Sequence, residues 1–358
     1  MEQTLRCASV QFEPRPDDKS YNLARVEHFV REAAADGVRL VVLPEMCLLG
    51  YWHLRRHTPE RLRELAEPLS GPSVTRVRRL AMDLDTAAGL GFLEIDEADG
   101  RLYNAYAVCL PDGRVHCHRK LHAFEHEAIS SGDRYTVFDT PWDIRVGILI
   151  CWDNNLVENV RATALLGASI LVAPHQTGGT ASRSPHSMRP IPMALWEARH
   201  RDPAAIEAAL RGDSGRAWLL RWLPARAHDN GLALIFSNGV GRDDDEVRTG
   251  NAMILDPYGR ILTETWSPED TMVTADIDLS LIPMSTGRRW LKGRRPDLYT
   301  ILTQHFGDER DPRTARFSTT PPTLNPAPAP SSAPSPAPSS APRPAPDSSA
   351  APHARHER

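Results

Sequence analysis

Short apolar runs rich in branched residues alternate along this chain with longer segments whose apolar positions recur every three or four residues, the pattern of an α/β fold. Residues 7–12 form the first run. Over 21–35, Leu23, Val26, Val30 and Ala33 keep helical spacing until Gly37 stops the helix. Residues 38–43 read as a buried strand. Pro44 ends it, lacking the N–H a ladder needs, and leaves Glu45 at the carboxyl end of a strand, where α/β folds place their clefts. Strands are expected at 87–95 and 103–110, and Pro111-Asp112-Gly113 turns the chain back into 115–120, a hairpin ending on Lys120. A further strand at 144–150 precedes helical spacing over 154–166, so Cys151 falls at a strand-to-helix joint. Strands follow at 169–173, 232–237, 252–256 and 271–277. The polar, Pro-containing stretch 178–215, with one short helical segment, is too long for an ordinary connector and is expected to shape or cover a site.

From Ser318 onward the composition turns to Pro, Ala and Ser, with too few large apolar groups to repay ordering. Residues 1–317 are therefore expected to fold as one domain, and 318–358 to form a disordered, polyproline-like tail. The tail reads as a spacer, with docking to an SH3-like partner as the alternative. The 42 basic and 46 acidic residues, net −4, give no lopsided basic balance, so nucleic acid is not an expected partner. The first residues, MEQTLRCASVQFEP, lack a basic stretch followed by an apolar one, and no window approaches the ~20 apolar residues of a membrane span. Neither export nor a membrane anchor is expected. Cys7, Cys47, Cys109, Cys117 and Cys151 are odd in number and lack CxxC spacing, which argues against a disulfide framework or structural zinc and for a reducing, cytoplasmic setting.

Glu45, Lys120 and Cys151 each end an apolar run, and their chemistry is complementary. A cysteine near a helix start and beside an ammonium gains thiolate character; a carboxylate can take its proton and later activate water; the ammonium stabilises a developing oxyanion. Taken singly, Cys151 reads as a small buried hydrophobe, and Glu45 and Lys120 as solvated surface. Only their combination carries the chemical reading. Cys47 reads as a wall residue, and Cys7, Cys109 and Cys117 as core. His116, His118, His122 and His126, with Cys117, raise a metal reading, but the usual ligand spacings are absent and no metal is expected. His175 reads equally as a pocket residue or a satisfied core histidine. Arg183, Arg189 and Arg199 in the long stretch could meet a substrate carboxylate, with exposed loop as the default; 243–246 reads as a solvated loop.

The blocks LPE at 43–45, RKLH at 119–122 and ICWDNN at 150–155 resemble, in order and context, the three signature blocks of the nitrilase superfamily. The resemblance extends through Ser70-Gly71-Pro72, Tyr103-Asn104-Ala105, Ser131-Gly132-Asp133 and Ala227-His228-Asp229-Asn230-Gly231, over roughly residues 5 to 280. It implies a four-layer α-β-β-α sandwich, a Glu45–Lys120–Cys151 triad and a thioester or thioimidate intermediate. It further implies neither metal nor cofactor, and a homodimer or larger homo-oligomer. It also implies a second glutamate after the lysine, for which Glu127 is preferred and Glu125 is the alternative, and an oxyanion site made by Lys120 and the Trp152 backbone N–H. Tyr51, Asp153 and His175 are the candidate substrate contacts. The implied reaction is hydrolysis of a small-molecule amide or N-carbamoyl group with release of ammonia. A nitrile is the alternative substrate, since Cys151-Trp152-Asp153 mixes the patterns of the branches. Rival readings are a papain-like Cys151 hydrolase using His175 or His228, and a silent scaffold acting through its Pro-rich tail.

Overall fold

A computed structural model describes residues 4–180, 184–307 and 309–317; the Pro-rich tail and Arg183 lie outside the described residues. The chain enters through β1 (Thr4–Phe12), crosses in α1 (Lys19–Ala35) and returns in β2 (Leu40–Val42). α1 starts where the Asp18 carboxylate accepts the Tyr21 N–H at 3.0 Å, and Gly37, at φ +73°, turns the chain out of it. Next come α2 (Pro59–Leu65), α3 (Pro72–Leu84), β3 (Ala87–Ile95), β4 (Leu102–Cys109) and β5 (Val115–Arg119). Two short strands, β6 (Ile129–Ser130) and β7 (Thr136–Asp139), lead to β8 (Arg145–Ile148), α4 (Val157–Leu165) and β9 (Ile170–His175). The long stretch then builds α5 (Met193–Glu197) and α6 (Pro203–Arg211), followed by α7 (Arg216–Leu219) and α8 (Leu223–His228). β10 (Ala233–Asp243), β11 (Glu246–Thr249), β12 (Met253–Leu255), β13 (Ile261–Glu264) and β14 (Thr271–Asp278) complete the strands. α9 (Leu281–Met284), α10 (Thr286–Lys292) and α11 (Pro312–Phe317) follow.

Alternation within the strands creates the layers. Leu5 and Cys7 of β1, Leu40 and Val42 of β2, Ile170 and Val172 of β9, and Ala233 and Ile235 of β10 meet in one central core. The opposite faces are apolar too: Ala8, Val10 and Val41 pack under α1 and α3, whereas Leu171, Leu234 and Phe236 pack under α4 and α8. Two sheets thus face each other, each with helices outside, the expected four layers. The strand order β5-β4-β3-β2-β1-β10-β9-β8-β7 is continuous, but β1 and β10 pair only at Gln11 with Asn238 and Phe12 with Gly239. At that seam the Ser9 hydroxyl donates to the Phe236 carbonyl, and the Ser237 hydroxyl to the Val10 carbonyl.

The periodicity reading contains no helix over 72–84, yet Val74, Val77, Leu80 and Ala81 are buried there. The interleaved Arg76, Arg78 and Arg79 dilute the apolar signal, because a long stem can cover a helix flank while its charge stays in water.

β3 passes against the turn that carries Glu45. A Cβ on Gly91 would lie 2.3 Å from the Met46 nitrogen and 2.6 Å from the Pro44 carbonyl oxygen. Gly91→Ala is therefore expected to push that turn aside and cost about 1–3 kcal/mol of stability. A urea titration with an unchanged midpoint would show that the contact can relax.

Candidate active site

Glu45 leaves β2 through a tightly held turn. The Tyr106 hydroxyl accepts the Leu43 N–H at 3.0 Å and donates to the Leu43 carbonyl at 2.8 Å, while the Gln176 amide donates to the Glu45 carbonyl at 2.7 Å. Lys120 ends β5: its N–H donates to the Asn104 carbonyl at 2.9 Å, and its carbonyl accepts the Gly132 N–H at 2.8 Å. A Cβ on Gly132 would lie 2.4 Å from the Arg119 carbonyl oxygen, so the close approach of this turn requires glycine.

Cys151 follows β8 at φ +48°, a region an L-residue with a side chain rarely adopts. The turn around it is over-determined. Asp153 accepts the Ile150 N–H at 3.1 Å, the Asn154 amide donates to the Leu149 carbonyl at 2.8 Å, and Arg226 donates to the Asn154 and Asn155 carbonyls, each at 2.8 Å. Cys151 opens a five-residue 3₁₀ turn, Cys151–Asn155, and the α-helix expected from 154 begins only at Val157.

The three side chains converge in a buried polar cluster. The buried Lys120 Nζ donates to Glu45 Oε1 at 2.7 Å and to Glu125 Oε1. The Asn104 amide donates to the same two oxygens, at 2.7 and 2.9 Å, and the Tyr51 hydroxyl reaches Glu125 at 3.2 Å. Glu45 Oε2 is buried and has no hydrogen-bond partner among the described residues.

This environment splits the two carboxylates. Burial pushes Glu45 well above the ordinary carboxylate range, and negative charge on Cys151 adds to that, outweighing Lys120. Burial also pulls Glu125 upward, but there the charge and hydrogen bond of Lys120 win and hold it below the ordinary value. Lys120, which burial would neutralise, is kept protonated by Glu125 and Glu45. The cluster therefore pairs one fixed anion with one carboxylate poised to exchange a proton.

Cys151 lies at a cavity of about 360 Å³ walled by Tyr51, Trp52, Phe124, Trp152 and Trp218, with Gln176, Thr177, Glu246 and Arg248 as polar contacts. Tyr51, a candidate substrate contact, lines this cavity. The preference for Glu127 is overturned: Glu127 is exposed in a neighbouring recess with Arg55 and Arg56, while Glu125 turns inward against Lys120. Asp153 does not reach the cavity. It is fully buried behind Cys151, where it also accepts the Leu121 and His122 N–H groups at 3.2 and 2.9 Å. Burial would raise its pKa, but hydrogen bonds from His118 and His122 keep it well below the carboxylate range.

His175 is likewise a core residue. Its ring contacts Asn154 at 3.2 Å and Thr177 at 2.9 Å and packs on Phe236, and burial depresses its pKa to about 3. His228 packs edge-on against Trp290 and does not line the cavity, so neither partner of a papain-like pair faces it. The other histidines diverge: His116 stacks on Phe138 at 4.1 Å, His118 and His122 serve Asp153, and His126 reaches the His57 carbonyl at 3.0 Å. Among the described residues, ligand-like spacing occurs instead at Asp17, His53 and His57, where both imidazoles pair with the one carboxylate at 2.8 and 3.0 Å. Arg189 is exposed, and Arg199 folds back over Trp196.

Sequence reasoning overlooked Asn104, Phe124, Gln176 and Arg248. Asn104 was legible only as part of a block; that its amide would bridge two carboxylates depends on strand pairing, since Asn104 and Lys120 meet across β4 and β5.

The carbon–nitrogen hydrolase family model matches residues 6–283, enclosing Glu45, Lys120, Glu125 and Cys151. The chain belongs to that family. This carbon–nitrogen hydrolase is 32% identical over 314 residues to an (R)-stereoselective amidase of Pseudomonas sp, covering 86% of this chain and 97% of that one. It is 30% identical to an omega-amidase of Mus musculus, over 83% of this chain and 98% of that protein. An N-carbamoylputrescine amidase of Arabidopsis thaliana is 27% identical over 82% of this chain and 93% of its own length. In architecture the hydrolase matches an amidase of the nitrilase superfamily from Nesterenkonia AN1, with a TM-score of 0.62 at 20% identity, covering 84% of this chain and 98% of that chain.

Proposed function

We propose that this hydrolase cleaves a small-molecule amide or N-carbamoyl group through a covalent Cys151 acyl-enzyme and releases ammonia. One observation carries the reading: one oxygen of Glu45 is held by Lys120 and Asn104, while the other is buried and unpaired in the field of Cys151. That oxygen takes the thiol proton as Sγ attacks the carbonyl carbon. The Lys120 ammonium and the Trp152 N–H hold the resulting oxyanion. The intermediate collapses, Glu45 returns the proton to the departing nitrogen, and ammonia leaves a thioester on Cys151. Glu45 then takes a proton from water, whose oxygen attacks the thioester, and the acid and free thiol are restored. Glu125 and Asn104 touch Lys120 and Glu45 and position them. The names of the amidase relatives support the substrate class.

Ammonia release should be seen across aliphatic amides and N-carbamoyl amino acids, with nitriles as the comparison; turnover of nitriles alone would replace the amide reading. Glu125→Gln is expected to lower kcat/KM by roughly 10²-fold, the effect of a misplaced ammonium, and Glu127→Gln to leave it unchanged. The reverse outcome would return the second glutamate to Glu127.

The same reading includes a cytoplasmic setting and a homodimer or larger homo-oligomer. No disulfide occurs among the described residues, and Val157, Leu165 and Leu166 are exposed on and beside α4. No helix among the described residues is long and apolar enough to cross a membrane.

A further inference from the structure

The region matched by the family ends at residue 283, yet the cavity is closed in part by residues far beyond it. Ala315 and Arg316 of α11 line the cavity directly. The Phe317 ring stacks on Trp52, with centroids 6.2 Å apart and planes 28° apart, and meets Phe124 edge-on at 6.3 Å. Both partners are cavity walls, and Phe124 in turn lies 4.6 Å from the Lys120 ammonium and 5.2 Å from the Trp152 ring. Arg316 also donates to the Thr180 hydroxyl, another lining residue, at 3.4 Å, while its guanidinium lies over Phe124 at 5.6 Å. One short helix therefore contacts lining residues from three separate segments, Trp52, Phe124 and Thr180.

We propose that α11 closes the acyl pocket, with Ala315 and Arg316 as its outer wall, Phe317 as the positioning residue that backs the Trp52 and Phe124 walls from the neighbouring recess, and the Arg316–Thr180 contact holding the helix in place. No residue of α11 is buried, so its attachment rests on ring contacts and the Arg316 contact rather than on a core. Such an element is at the low-stability end of a fold and can be displaced without unfolding the sandwich. With the helix in place, the far end of the acyl group meets Ala315, Arg316 and the Trp52 and Phe124 rings that Phe317 backs, which favours short acyl chains over chains with a bulky terminal group.

The test uses the full chain as wild type, Phe317→Ala, Phe317→Trp and Arg316→Ala. Cys151 alkylation by iodoacetamide and by a pyrene-bearing iodoacetamide is followed by intact mass, with Cys151→Ala as the blank. In parallel, kcat/KM is measured for butyramide and 4-phenylbutyramide. Phe317→Ala should raise the bulky-to-small ratio about tenfold or more in both assays, Arg316→Ala should shift it in the same direction, and Phe317→Trp should keep the wild-type ratio. The proposal is overturned if bulky and small probes change by the same factor, or if neither changes. The turnover arm rests on the proposed hydrolysis, whereas the alkylation arm needs only a reachable Cys151. A shifted alkylation ratio without amide turnover would sink the hydrolysis and leave the wall standing.

Discussion

Cys151→Ala is expected to lower ammonia release on the order of 10⁴-fold or more while leaving the fold intact, because every covalent step passes through Sγ. Alanine keeps a Cβ at the same left-handed backbone position, so the strain at φ +48° is common to both proteins. The hydrogen bonds that impose this conformation come from Asn154, Asp153 and Arg226, none of which the substitution removes. Intact mass should show an acyl adduct on the wild type during turnover and none on the variant. Retained ammonia release would remove Cys151 from the mechanism and leave the buried cluster without a nucleophile.

Glu45→Gln should lower kcat by about 10²–10⁴-fold, the range for loss of a positioned general base. The amide oxygen of glutamine can still accept from Lys120 and Asn104, so the cluster keeps its geometry. The other position then carries an NH₂ group, which cannot take the thiol proton. The wild-type pH profile follows from the same carboxyl. Only its deprotonated form works as a base, and burial together with the charge of Cys151 raises its pKa above the ordinary 4.5. Activity should therefore fall as pH drops through that raised value, giving an acid limb above 4.5 that is missing from the variant's residual rate. A variant with the wild-type rate would show that another group accepts the proton, and an acid limb at or below 4.5 would assign that limb to an ordinary, solvated carboxyl.

The legibility of this site varies with how local its physics is. Glu45 after Pro44, Lys120 after a hairpin and Cys151 before a helical pattern could be placed at strand ends because proline, turn residues and a change of hydrophobic period act over a few residues. The choice between Glu125 and Glu127 could not be made that way. They sit two residues apart in a loop, and which one turns inward is decided by Lys120, Asn104 and Tyr51, contributed from three separate parts of the chain. The same limit explains Asp153 and His175. Both neighbour the chemistry in sequence or strand position, but their polar atoms are consumed by backbone N–H groups, Asn154 and Thr177 rather than offered to a ligand.

The sequence by itself determined the α/β alternation, since strand and helix periods leave different apolar spacings, and which three polar residues stand at strand ends, while the four layers were implied by the family resemblance. Only the tertiary structure decided which carboxylate neutralises Lys120, which remains free to act as base, and that α11 reaches back to the cavity. Those outcomes depend on burial and on contacts between residues far apart in the chain, and neither leaves a periodic trace in the order of residues.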